Sequence, residues 1–224
     1  MTAVLPPPEH AHLYDHKHDG YFSSERHDVD RVLPPRMERV LEVGCGDGAT
    51  LARLRRTHGT VWAAGVEFYP PAAATARRHL DALWEGDVEA LTLPIAPGSL
   101  DAVLCLDVLE HLRDPWAVAA RLAALLRPGG ALVVSLPNTQ NYRVVLPLLF
   151  GRYPFEGSGL RDRTHLHPFV RHTAVELLEN AGLRVDGMHR RMGRVTSLAH
   201  RLTFGAFAGL ITYQYILRGT KSGP

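Results

Sequence analysis

The stretch Arg39-Val40-Leu41-Glu42-Val43-Gly44-Cys45-Gly46-Asp47-Gly48-Ala49-Thr50 constrains this chain more than any other. Val40, Leu41 and Val43 form a short apolar run of the kind that makes a buried parallel strand. The run breaks into alternate glycines and then into a helical pattern, Leu51-Ala52-Arg53-Leu54. Glycines let the backbone approach a ligand without interference from Cβ, and the start of the helix aims free N–H groups at it. This order predicts a nucleotide-like ligand at the carboxyl end of the first strand of an α/β sheet. Gly44, Gly46 and Ala49 also fit the looser dinucleotide pattern. Glu42 distinguishes the two cases, because an acid there repels a pyrophosphate yet can orient the loop and pair with an ammonium.

The alternation of strands and helices continues downstream. Val61 to Glu67 reads as a second strand ending in an acid, placed where a carboxylate can accept from both ribose hydroxyls, with Phe68 next to pack on a base. Pro70 to Leu83 reads as a helix with proline in its first turn. Trp84 to Val88 is expected to end a third strand, with Asp87 facing an adenine amino group and Val88 beside the ring. Ser99 to Leu106 is nearly all apolar, as a central parallel strand is. Asp114-Pro115 opens an amphipathic helix, Arg127 to Gly130 makes a turn, and Ala131 to Leu136 is a fifth strand. Arg171 to Ala181 is a further helix, Leu183 to Val185 a sixth strand and Leu210 to Leu217 a last one. The order predicts a doubly wound, mostly parallel sheet.

Composition narrows the class. The 224 residues suffice for one α/β domain; we expect a single domain over 21–224 after a Pro- and His-rich tail, 1–20, read as flexible. Insertions at 139–165 and 190–209 are expected to form a lid or acceptor pocket. The net charge of +2 gives no basic stripe that calls for nucleic acid. Cys45 and Cys105 read as reduced, buried thiols, which fits a cytoplasmic protein. We see no signal peptide and no apolar run long enough for a bilayer, so no membrane partner is expected. Tyr21 and Phe22 begin a short helical stretch, to Val32, whose aromatic pair is placed to close over a cofactor or simply to pack.

Taken together, VLEVGCGDG, the acid of GVEF, GDVEALTLP, LDAVLCLDVLEHLRDP and LLRPGGALVVSLPN resemble the class I S-adenosylmethionine-dependent methyltransferases across residues 38–137. The later part, Asn138 through Asp162-Arg163-Thr164-His165 to Gly182, resembles a subgroup associated with glycan and secondary-metabolite pathways. The resemblance implies a Rossmann-like, seven-stranded sheet of order 3-2-1-4-5-7-6 with the last strand antiparallel. It implies S-adenosyl-L-methionine as cofactor, S-adenosyl-L-homocysteine as product, and a small polar acceptor. The cofactor residues expected are Glu42, Gly44, Cys45, Gly46, Gly48, Glu67, Phe68, Asp87, Val88, Asp107 and Tyr21.

Methyl transfer is an in-line displacement, so the protein aligns the acceptor and, for a hydroxyl, removes its proton. Asp107, His111 and His165 are the catalytic candidates. Three-and-four spacing predicts Asp107, Glu110 and His111 on one helical face. D-x-x-E-H also resembles the acid-x-x-Glu-His motif of ubiquinone-pathway and small-RNA 2′-O-methyltransferases, in which a divalent ion orients hydroxyls, with His165 or His167 able to complete a set. Those families show Glu where Asp107 stands, and its shorter reach leads us to expect no metal. Asp162 is a further acceptor-site candidate, and Arg161 and Arg163 could bind a phosphate or lie on a solvated face.

Overall fold

A computed structural model describes residues 23–193, 197 and 205–223. The core is a seven-stranded sheet of order β3-β2-β1-β4-β5-β7-β6. Its strands are β1 (Arg39–Val43), β2 (Trp62–Glu67), β3 (Ala82–Glu85), β4 (Leu100–Leu106), β5 (Leu126–Pro137), β6 (Leu183–Arg191) and β7 (Gln214–Lys221). β1 to β5 pair in parallel, and β7 runs antiparallel to both β5 and β6. This is the strand order that the resemblance implied.

Strand alternation divides the apolar residues between two faces. Leu41, Val43, Val103, Cys105, Leu132 and Val134 pack with α3 (Pro115–Leu125) and α5 (Arg171–Asn180). Val40, Ala102, Leu104 and Val133 pack on the other face with Leu51 and Leu54 of α1 (Ala49–His58) and Ala76 of α2 (Pro70–Ala76). β4 is buried along its whole length, which is why its sequence is almost unbroken apolar. Asp114 caps α3 by accepting from the Ala117 N–H at 2.9 Å, an interaction that stabilises by about 1 kcal/mol.

Several boundaries differ from expectation. The second helix stops at Ala76 and not at Leu83, and the third strand lies at Ala82–Glu85 because Gly86, at φ 135°, ends it before Asp87. The sixth strand runs on to Arg191, with a bulge at Val185/Gly187. The last strand begins at Gln214, because Ala208–Ile211 forms a helical turn. The Gly209 and Thr212 carbonyls of that turn accept from the Asn138 amide at 2.7 and 2.8 Å, which stabilises it against an extended path. The segment before β1 contains only a 3₁₀ turn, His27–Val29, among its described residues. After β5 come α4 (Tyr142–Leu149) and an exposed loop. No helix among the described residues is long and apolar enough to cross a membrane.

Candidate active site

The parallel strands end at one edge of the sheet, where β7 begins and β6 ends. Loops at this edge enclose a cavity of about 530 Å³. The glycine loop forms one wall. The Gly44 and Cys45 N–H groups both donate to the Val66 carbonyl, at 2.8 and 3.2 Å. Gly46 N–H donates to Glu67 Oε2 at 2.8 Å, and Tyr69 N–H donates to Oε1 at 2.9 Å. Glu67 therefore clamps the loop after β1 to the end of β2. Gly44 sits at φ 68°, and a Cβ there would lie 2.5 Å from Val108 Cγ2, so the position is closed to a side chain.

Glu42, at the end of β1, is 3% exposed, and its Oε2 has no hydrogen-bond partner among the described residues. Burial pushes its carboxyl up to about 8; Arg26 and Arg53 oppose the shift, and Glu67 and Asp47 add to it. Burial likewise raises Glu67, against the N–H groups that bond it. Glu42 Oε2 thus lacks, among the described residues, a hydrogen-bond donor of the kind a ligand ammonium could supply.

Cys45, Gly46, Phe68, Asp87, Val88 and Asp107 line the same cavity. Asp87 also serves the turn after β3, accepting from Glu89 N–H at 2.8 Å. Gly48 is not among the lining residues. It caps α1 at φ 81°, a left-handed conformation that favours glycine whatever the space around it. Tyr21 lies outside the described residues. Both cysteines are free and buried, and burial pushes both thiols up.

Sequence reasoning missed Arg26, Arg191 and Gln214. Arg26 comes from the segment before β1, which Thr50 and Arg53 of α1 hold by bonding the Ser24 and Arg26 carbonyls at 3.0 and 3.1 Å. Its guanidinium donates to Asp28, to Asp107 Oδ2 at 2.7 Å and to Ser135 Oγ at 3.1 Å. These bonds use four of its five N–H donors. Burial acts to lower Arg26, and Asp107 and Asp28 more than reverse this, so it stays charged. Only the run of charge in Glu25-Arg26-His27-Asp28 hinted at this role.

The predicted helical face of Asp107, Glu110 and His111 does not form. Asp107 has φ 60°, a conformation Asp tolerates better than most residues, and Leu109–His111 is a 3₁₀ turn. Asp107 turns toward β5 and β7, accepting from Ser135 Oγ at 2.9 Å and from the Gln214 amide. Glu110 and His111 instead meet His165. The two imidazoles are in edge contact at 4.8 Å between ring centres, and Glu110 Oε1 lies 3.9 Å from His165 Nε2. One ligating atom from each of Glu110, His111 and His165 falls within 4.8 Å of the others. Glu110 is 1% exposed, with Oε2 lacking a hydrogen bond among the described residues. Burial, reinforced by the Asp107 charge, holds its carboxyl well above the usual range.

His111 also lines the cavity, and its Nδ1 lies 3.1 Å from the Thr164 carbonyl. A carbonyl only accepts, so Nδ1 is the donor in this contact. Asp162 is 4% exposed and accepts from the Thr164 N–H and hydroxyl, at 3.0 and 2.8 Å, so it builds the loop that presents His165. Arg161 is paired with Glu156, while Arg163 is exposed.

The cavity fits S-adenosylmethionine on its own chemistry. Acids outnumber the two arginines that line it, Arg26 and Arg191, and those acids, Glu42, Glu67, Asp87 and Asp107 among them, suit a ligand with an ammonium and a sulfonium better than a pyrophosphate. A methyltransferase-domain family model matches residues 14–186. The Ubiquinone biosynthesis O-methyltransferase of Xanthomonas axonopodis pv. citri is 33% identical over 165 residues, covering 70% of this chain and 67% of that protein. The protein of the same name from Paracidovorax citrulli is 29% identical, covering 73% and 74%. Among solved structures, the SAM-dependent methyltransferases of Archaeoglobus fulgidus (TM-score 0.62, 18% identity, 83% of this chain and 86% of that one) and Mesorhizobium loti (0.61, 15%, 87% and 96%) share the fold. With its sheet order, its acid-lined glycine-loop cavity and the family model all in agreement, the chain belongs to the class I S-adenosylmethionine-dependent methyltransferases.

Proposed function

We propose that the chain methylates a hydroxyl of a small polar acceptor, with His111 as the general base. The observation that carries this is the placement of His111, whose side chain lines the cavity and whose Nδ1 is held 3.1 Å from the Thr164 carbonyl. When bound, S-adenosylmethionine supplies an electrophilic methyl group on a sulfonium. Glu42 pairs with its ammonium, Glu67 receives the ribose hydroxyls while keeping the glycine loop in place, and Asp87 takes the adenine amino group beside Phe68 and Val88. The remaining N–H of Arg26 is available to the carboxylate of the cofactor. Asp107, already accepting from Arg26, Ser135 and Gln214, positions Arg26 and is a poor base for the acceptor.

The names of the relatives favour an oxygen acceptor in quinone biosynthesis over a sugar-containing one. The test is methyl transfer to matched hydroxyl and amine acceptors as pH is varied. Hydroxyl turnover that falls as an imidazole protonates, and that His111→Asn abolishes, is expected. Equal turnover of amines, indifferent to His111→Asn, would refute it.

A second reading has its own observation, the convergence of Glu110, His111 and His165, one ligating atom of each within 4.8 Å of the others. One carboxylate and two imidazoles form a donor set for a divalent ion. These three residues would hold the ion, which would orient the acceptor hydroxyls. Turnover that a chelator abolishes and Mg²⁺, Mn²⁺ or Zn²⁺ restores would select it over His111 acting alone.

A further inference from the structure

We infer that a second cavity, on the other side of β6 and β7 from the cofactor pocket, binds an anionic group of the acceptor. It has a volume of about 560 Å³ and is lined by Thr139, Gln140, Arg171, His172, Arg190 and Tyr215 among others. Strand alternation sets it apart from the cofactor site: Arg191 lines the first cavity and Gln214 bonds Asp107 there, whereas their neighbours Arg190 and Tyr215 line the second.

Its charge is one-sided. Two guanidiniums and an imidazole line it, and no carboxylate does among the described residues. The one acid of β6 and β7, Asp186, is paired with Arg218 at 2.7 Å, and from Gly187 to Pro224 the sequence contains no further Asp or Glu. The Nε of Arg190 is buried and has no hydrogen-bond acceptor among the described residues. A buried guanidinium N–H without an acceptor is costly, and an oxyanion is the ligand whose geometry a guanidinium matches. Gln140 and Tyr215 add neutral polar atoms that can bond the remaining oxygens.

The place of this cavity ties it to the acceptor. The connection that carries His165 continues through Phe169, whose carbonyl accepts from the Thr139 N–H and hydroxyl, both at 2.9 Å, to Arg171 at the cavity wall. Six residues of fully extended chain span at most about 20 Å. The anion cavity and the loop that carries His165 therefore lie no more than about 20 Å apart along this connection. The inference rests on the proposed hydroxyl acceptor; the anion site itself is testable without any turnover. A phosphate and a carboxylate share the chemistry recognised here.

The experiment titrates the full chain, saturated with S-adenosylhomocysteine, with inorganic phosphate and separately with benzoate, following binding by ³¹P line broadening and saturation transfer. Wild type is expected to bind one of the two. Arg190→Gln and Arg171→Gln should each weaken that binding about tenfold or more, while Arg190→Lys retains part of it. Binding of phosphate alone assigns the site to a phosphorylated acceptor, and binding of benzoate alone to a carboxylated one. Binding of neither, or binding unchanged in folded Arg190→Gln, overturns the inference. Failure of methyl transfer alongside intact, Arg190-dependent anion binding would count against the hydroxyl acceptor and not against this site.

Discussion

Glu42→Gln should move stability and cofactor affinity in opposite directions. The raised carboxyl means that Glu42 suits the fold only while protonated. Its contribution is fully present below its ordinary value of 4.5 and is lost as pH rises toward about 8, at about 1.4 kcal/mol per pH unit. At pH 7 the ligand-free protein carries roughly 3 kcal/mol of this penalty, which a neutral glutamine removes. Thermal unfolding should therefore show a higher Tm for Glu42→Gln at pH 7 and no gain near pH 4.5. Cofactor binding should respond the other way. Pairing with an ammonium needs the ionised carboxylate, so wild-type affinity should rise about tenfold between pH 6 and 7, with one proton released per binding event. Titration calorimetry in buffers of different ionisation enthalpy reads that proton directly. Glu42→Gln should release none and bind at least thirtyfold more weakly. A variant that binds like wild type, or that is less stable at pH 7, would refute this role for Glu42.

Three further substitutions test other parts of the site. Gly44→Ala places a Cβ against Val108 in a left-handed backbone, costing about 1–2 kcal/mol, and should lower both Tm and S-adenosylhomocysteine affinity; wild-type values in both would show that the loop is not closed. His111→Asn should reduce kcat by about 10²–10⁴ while S-adenosylhomocysteine affinity stays within a fewfold, and a preserved kcat would remove His111 as base. Asp107→Asn keeps the backbone tolerance but withdraws a charge from buried Arg26, costing about 1–3 kcal/mol, so a scan showing an unchanged Tm would contradict the Arg26–Asp107 contact.

What was legible in the sequence was what local pattern encodes. Val40 to Val43 and Leu100 to Leu106 announce buried parallel strands because both faces of those strands are covered, and alternation is replaced by an apolar run. The glycine loop and the acids at the ends of β1 and β2 follow from spacing along one strand–turn–helix unit. The last strand was misplaced because Leu210, Ile211, Tyr213, Tyr215, Ile216 and Leu217 read as one strand-like run, whereas the side chains of Asn138 and Asn141, beyond the end of β5, hold the helical turn. β6 outran its expected end because Met188 to Arg190 are half-buried and Arg191 exposed on an edge strand, and they carry little apolar signal. Arg26 was invisible because its partner Asp107 lies 81 residues away, and Gln214 meets the same carboxylate across 107 residues. Asp tolerates the positive φ of position 107 but does not require it, so helical spacing misjudged which side chains face His111.

The most direct measurement is S-adenosylhomocysteine release on incubating the protein and S-adenosylmethionine with catechols, amines, nucleotide sugars and short RNA, each with Mg²⁺ and with chelator. Release with a small hydroxylated acceptor, together with a product methylated on oxygen and lost in His111→Asn, is the predicted result. Release only with amines, or none with any hydroxylated acceptor while the cofactor binds, would contradict it.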